Sequence, residues 1–104
     1  MQEQTDYRRK VDDAVRRATN ILAKHHLQPQ KYRVHINPKG ELGPGEPHTL
    51  SLSTADGAVW VTETVIPFRC IEEVDPFGSD AFCSIVSAQM MALIRKVRQA
   101  GRMV

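Results

Sequence analysis

Cysteine is scarce in this chain, two among 104 residues. Cys70 and Cys83 stand in no CxxC or zinc-type spacing, so the sequence points to neither a disulfide framework nor a thiolate metal site. Long apolar runs are missing as well: none approaches the roughly 20 residues that span a bilayer. The opening MQEQTDYRRK lacks the apolar stretch of an export signal. Together these features predict a soluble cytoplasmic protein that makes no membrane contact, with both cysteines reduced. The glycines present are not followed by the GK[ST] of a phosphate cradle, and GxGxxG, GxSxG and HExxH do not occur. The expectation is a protein that is not an enzyme and carries no cofactor and no metal.

What the chain does have is charge sorted into blocks. Its formal net charge is only +2, yet nine basic residues face four acidic ones between Met1 and Gly40. From Glu41 to Met91 only Arg69 opposes eight acidic residues. Arg95, Lys96, Arg98 and Arg102 restore positive charge at the end. Sorting of this kind bears on association and solubility rather than on fold. A chain of this length, 41% apolar and 25% charged, reads as one globular domain over residues 1–104 that needs no staple to fold. Residues 1–5 and 102–104 are expected to fray.

Hydrophobic spacing gives the elements. Tyr7, Val11, Ala14, Val15, Ala18, Ile21, Leu22 and His25 recur at helical spacing, which predicts an amphipathic helix over 6–26. Thr5 or Asp6 would cap it and Gln28-Pro29 would end it. Its arginines, beside Asp12 and Asp13, read as a solvated face with local ion pairs, and His25 as packing at the edge of the stripe. The period then falls to two, with Tyr32, Val34 and Ile36 alternating against Arg33, His35 and Asn37 as on a half-buried strand. Residues 38–48, PKGELGPGEPH, are dense in proline and glycine and are expected to be a flexible loop that holds His48. A second strand is carried by Leu50 and Leu52, and Asp56-Gly57 signals a hairpin into a third, AVWVTETV. The stretch from Ile66 to Val74 reads as an irregular crossover or short edge strand, because Pro67 cannot donate to a ladder. Ser79 would cap a last helix whose stripe is Phe82, Ile85, Val86, Gln89, Met90, Leu93, Ile94 and Val97, with Gly101 in the left-handed position past its end.

The predicted order is α-β-β-β-α and the predicted class is α+β. The architecture is a two-layer sandwich in which both terminal helices cover one face of a three-stranded antiparallel meander. Burying Val59, Val61 and Val65 leaves Arg33, His35, Asn37, Thr49, Ser51, Ser53, Trp60, Thr62 and Thr64 on the open face. Exposing one indole costs less apolar area than exposing three valines, at about 25 cal/mol per Å². This element order resembles that of double-stranded RNA-binding domains in topology alone. Those domains place lysines at the start of the last helix to meet RNA phosphates, whereas this chain has Gly78-Ser79-Asp80-Ala81-Phe82 there.

The candidate contact residues are therefore Arg33, His35, Trp60, Thr62 and Lys39, on and beside the open face. The leading expectation is a small interaction module that binds a protein partner or forms a weak homo-oligomer. The alternative is nucleic-acid binding, most naturally RNA, through Arg33, Trp60 and the basic helices. A third reading, chemistry at Cys70 beside Glu72, Glu73 and Asp75, finds no base and orienter at useful spacing. His25, His26, His35 and His48 show no ligand pattern.

Overall fold

The computed structural model describes residues 2–28, 30–38 and 47–102, with side chains placed for 6–28, 30–37 and 47–100. Helix α1, Gln2–Lys24, buries Ala14, Ala18, Ile21 and Leu22, the stripe its spacing predicts. It begins upstream of the predicted cap and stops before Gln28-Pro29. His26 takes φ 65°, donating its N–H to Ala23 O at 2.9 Å while Leu27 N–H reaches Leu22 O at 2.9 Å. That pair of bonds is the Schellman closure, so a left-handed histidine ends the helix rather than the proline. His25 consequently lies exposed in the turn instead of packing on the stripe.

Strand β1, Tyr32–Pro38, pairs antiparallel along its length with β2, His48–Thr54. Strand β3, Thr64–Ile66, pairs with the other side of β2, giving the order β1-β2-β3. Helix α3, Asp80–Arg102, opens with Ser79 Oγ accepting the Phe82 N–H at 3.2 Å, as a cap residue should. It runs through Gly101, which is helical rather than a left-handed stop. Leu50, Leu52, Ile36 and Ile66 from the sheet meet Phe82, Val86, Met90 and Leu93 of α3 and the α1 stripe in one core. The α+β sandwich with its terminal helices on one face of a three-stranded antiparallel sheet is thus the observed fold.

The third strand departs from the even alternation of AVWVTETV. Trp60 bridges Ser53, while Thr64 partners Leu50. Three residues, 61–63, therefore span the place of two, 51 and 52, which is a bulge. One extra residue reverses the faces beyond it. Val61 enters the core and Val59 packs against it as expected, but Val65 is turned out, 64% exposed. Thr64 leaves the open face and approaches α3, its Oγ1 2.9 Å from Gln89 Nε2. The same amide donates to Leu50 O at 2.6 Å and Thr62 O at 3.0 Å, and Ser51 Oγ donates to Val61 O at 2.9 Å. Side chains thereby take up carbonyls that a regular ladder would have used.

Residues 66–74 also hold more order than the sequence suggested. Pro67, at φ −63° and ψ 144°, precedes a short helix α2, Phe68–Glu72, a place where its missing N–H costs nothing. Arg17 fixes this helix to α1. Its guanidinium donates to Cys70 O at 2.6 Å and Ile71 O at 2.9 Å, lies 3.7 Å from Glu73 Oε2 and sits 5.3 Å above the Phe82 ring. The basic face of α1 is therefore solvated only in part. Arg16 does form the expected exposed pair, with Asp13 at 3.4 Å, but Arg17 is 3% exposed.

Candidate functional site

The face of the sheet turned away from the core carries Arg33, His35 and Asn37 from β1 opposite Ser53, Ser51 and Thr49 from β2, but the three β2 side chains, expected on an open surface, are buried there. Trp60 joins this row because it bridges Ser53. Its ring stacks on His35 with centroids 4.3 Å apart and planes inclined by 26°, an arrangement with favourable aromatic energetics. Indole Nε1–H donates to Gly57 O at 2.8 Å, and Lys96 Nζ donates to Trp60 O at 2.9 Å. The side chain is thus held at two points, with its backbone carbonyl tied to Lys96, and is still 46% exposed.

The hairpin signalled by Asp56-Gly57 makes this possible. Gly57 adopts φ 76°, a conformation glycine takes without strain. Asp56 Oδ1 accepts from the Thr54 hydroxyl at 2.5 Å and the Ala58 N–H at 3.0 Å. Those bonds, the Thr54 hydroxyl first, hold the Asp56 carboxyl below its ordinary range. With the turn closed this way, Gly57 O is aimed at the indole two residues before the strand resumes.

His35 completes the site. Its Nε2 is 2.8 Å from Ser53 Oγ. Burial, followed by the charge of Arg33, holds its pKa below the ordinary 6.5. Unfolding restores the ordinary value, so the unfolded chain binds more protons just below pH 6.5. Stability owed to His35 is complete above that value and is lost as pH falls toward the folded pKa. Urea melts at about pH 7.5 and about pH 5 should show a drop in stability on acidification that is smaller in His35→Gln; an equal drop in both proteins would remove His35 as its source.

Of the five predicted contact residues, Arg33, His35 and Trp60 come together on this face. Thr62 is exposed on the bulged stretch, and Lys39 lies outside the described residues. Sequence reasoning passed over Gly57, Ser53 and Lys96 as supports of the indole, although Asp56-Gly57 three residues before a tryptophan was the available signal. The other candidates have structural partners. Cys70 is buried without a disulfide, and burial pushes its thiol pKa up, away from thiolate reactivity. Glu73 Oε2 accepts the Ser79 N–H at 2.8 Å, and Asp75 Oδ1 accepts that of Phe77 at 3.3 Å. His48 is not a loop residue: it opens β2, fully buried, hydrogen-bonded to the Tyr7 hydroxyl and 5.4 Å from the Phe68 ring. Among the described residues no group of three or more His, Cys, Asp or Glu is placed to hold a metal ion. No helix among them is long and apolar enough to cross a membrane.

Comparison with family models, curated proteins and solved structures finds no match to this chain. The functional reading therefore rests on the site itself.

Proposed function

We propose that the protein is a small cytoplasmic interaction module that docks a protein partner on the open sheet face around Trp60. One observation carries the reading: the indole is fixed by His35, Gly57 and the backbone bond from Lys96, yet nearly half its surface remains available. Anchors of this type supply most of the energy of protein interfaces. An aromatic ordered before binding loses little freedom when a partner arrives. Arg33, exposed beside it, adds a guanidinium at the rim, where charge sets orientation and on-rate more than affinity. The free state of both cysteines supports a reducing compartment.

Substituting Trp60 by alanine should weaken capture of the partner by about 30-fold or more, the loss of a hot spot worth at least 2 kcal/mol. The measurement compares proteins retained from lysate by the native chain and by Trp60→Ala at matched loading. Retention indifferent to Trp60 would sink the proposal. Nucleic-acid binding is the competing reading, favoured by an exposed indole face beside Arg33. Titration with single- and double-stranded RNA and DNA at low salt, followed by Trp60 emission, separates the two. Quenching that weakens steeply with added salt would establish the competitor.

A further inference from the structure

The two edges of the sheet are treated differently. Ser53 and Trp60 form a bridge flanked by Thr54 N–H to Val59 O and Val61 N–H to Leu52 O, both 3.0 Å. The peptide groups of Ser53 itself therefore turn the other way, toward Arg33 on β1. The same phase appears two residues on, where Ala55 N–H donates to Lys31 O at 2.8 Å. Alternation along β1 then directs the N–H and C=O of Arg33, His35 and Asn37 to β2 and those of Tyr32, Val34 and Ile36 outward.

At the opposite edge, β3 is short, bulged and guarded by α3, whose Gln89 and Lys96 take the carbonyls of Thr62 and Trp60. Among the described residues, strand β1 has none of the usual protections. Its seven-residue ladder is unbroken, and no proline or bulge interrupts it between Tyr32 and Asn37. Its only charge, Arg33, lies on the open face. Among the described residues, no hydrogen bond is made by the outward peptide groups of Tyr32, Val34 or Ile36.

We propose that the β1 edge pairs antiparallel with β1 of a second copy of this chain, joining two sheets across a two-fold axis at Val34. The occupant follows from self-complementarity. Centring on Val34 sets Val34 against the partner's Val34 and Tyr32 against the partner's Ile36, so every outward donor meets an outward acceptor. Centring on His35 or Ile36 instead brings Pro38, which has no N–H, into the ladder. A slip of a single residue between the strands would place core-facing positions opposite open-face ones. In the Val34 register Arg33 falls opposite the partner's His35, an imidazole held neutral near pH 7, and Lys31 opposite the partner's Asn37. No like charges are directly opposed. Tyr32 and Val34, only half-buried at the rim of the core, gain apolar cover. An isologous contact of this kind closes at two copies and does not propagate into fibres.

This proposal stands apart from the open-face reading, because edge pairing leaves Trp60 free. The test combines sedimentation of the native chain over a concentration series with amide hydrogen exchange resolved by residue. The expected result is a monomer–dimer equilibrium in which Tyr32, Val34 and Ile36 amides gain protection as the dimer fills. Val34→Pro removes an outward N–H at a site where an edge strand tolerates proline, and it should weaken the dimer about tenfold or more. Trp60→Ala should leave the dimer intact. A monomer at all concentrations, or a dimer whose β1 amides exchange as in the monomer, overturns the edge proposal and leaves the open-face reading standing. A dimer dissolved by Trp60→Ala but not by Val34→Pro, or by neither, also overturns it. Should Val34→Pro fail to fold, the exchange data on the native chain decide.

Discussion

Arg17→Ala should remove about 3–5 kcal/mol of folding stability, the characteristic loss when one member of a buried charged network is deleted. Against the roughly 5–15 kcal/mol that holds a domain together, this is a large fraction of the total. The large effect comes from what remains behind. Cys70 O and Ile71 O lose their donor in the interior, Glu73 loses its guanidinium, and the Phe82 ring loses the cation over it. Arg17→Lys should recover only part of the loss, because an ammonium on a flexible stem cannot reproduce the planar fork that serves two carbonyls and a carboxylate together. Urea denaturation followed by Trp60 emission measures both. A loss below about 1 kcal/mol for Arg17→Ala would mean that water satisfies the α2 carbonyls and that the guanidinium is not their essential donor.

Gly78→Ala should cost about 2–4 kcal/mol, from two additive causes. At φ 75° an L-residue pays for the left-handed conformation, about 1 kcal/mol or slightly more. The added Cβ would also stand 2.7 Å from Phe82 Cδ1. Phe82 is fully buried and cannot swing aside, so the clash adds the roughly 1–3 kcal/mol typical of overpacking. Gly57→Ala isolates the first cause, since a Cβ there meets nothing nearer than Trp60 Nε1 at 3.8 Å at nearly the same φ. The difference between the two variants in thermal or urea melts reads the clash alone. Equal losses would show that the Phe82 ring accommodates the methyl.

Phe82 explains why these two sites matter together. Arg17 covers one side of its ring and Gly78 permits the close turn beside it, while Ser79 and Glu73 tie the start of α3 to the end of α2. The irregular segment between α2 and α3 is thereby fixed by a few polar contacts. Asn20 Nδ2 donates to Pro76 O at 3.3 Å, and Lys24 Nζ lies 5.4 Å over the Phe77 ring, which extends the same joint along α1.

Much of the site was readable in the sequence because it depends on short-range rules. Alternation placed Arg33 and His35 on the face opposite Val34 and Ile36, and Asp56-Gly57 announced the turn that carries Trp60. The stacking of Trp60 on His35 was not readable, since it requires the register between β1 and β2 and the bridge at Ser53. Arg17 reads as surface charge because Asp12 and Asp13 lie beside the arginines of α1. Its spacing, three residues after Ala14 and four before Ile21, put it on the buried stripe and was the overlooked signal.

The amino-acid order by itself determined the two long helices, the two-residue period of β1 and β2, and the side of the sheet from which the indole emerges. Each follows from periodicity and capping within a few residues. Tertiary structure alone decided the bulge at 61–63, the outward turn of Val65, the partners that Arg17 meets, the burial of His48, and the short helix after Pro67. A bulge leaves no mark in an even apolar alternation, because it exists only where Ser51 and Gln89 supply donors for displaced carbonyls. A buried guanidinium is likewise tolerable only where Cys70, Ile71, Glu73 and Phe82 converge on it. Such partners lie tens of residues apart in the chain, and only folding brings them within hydrogen-bonding distance.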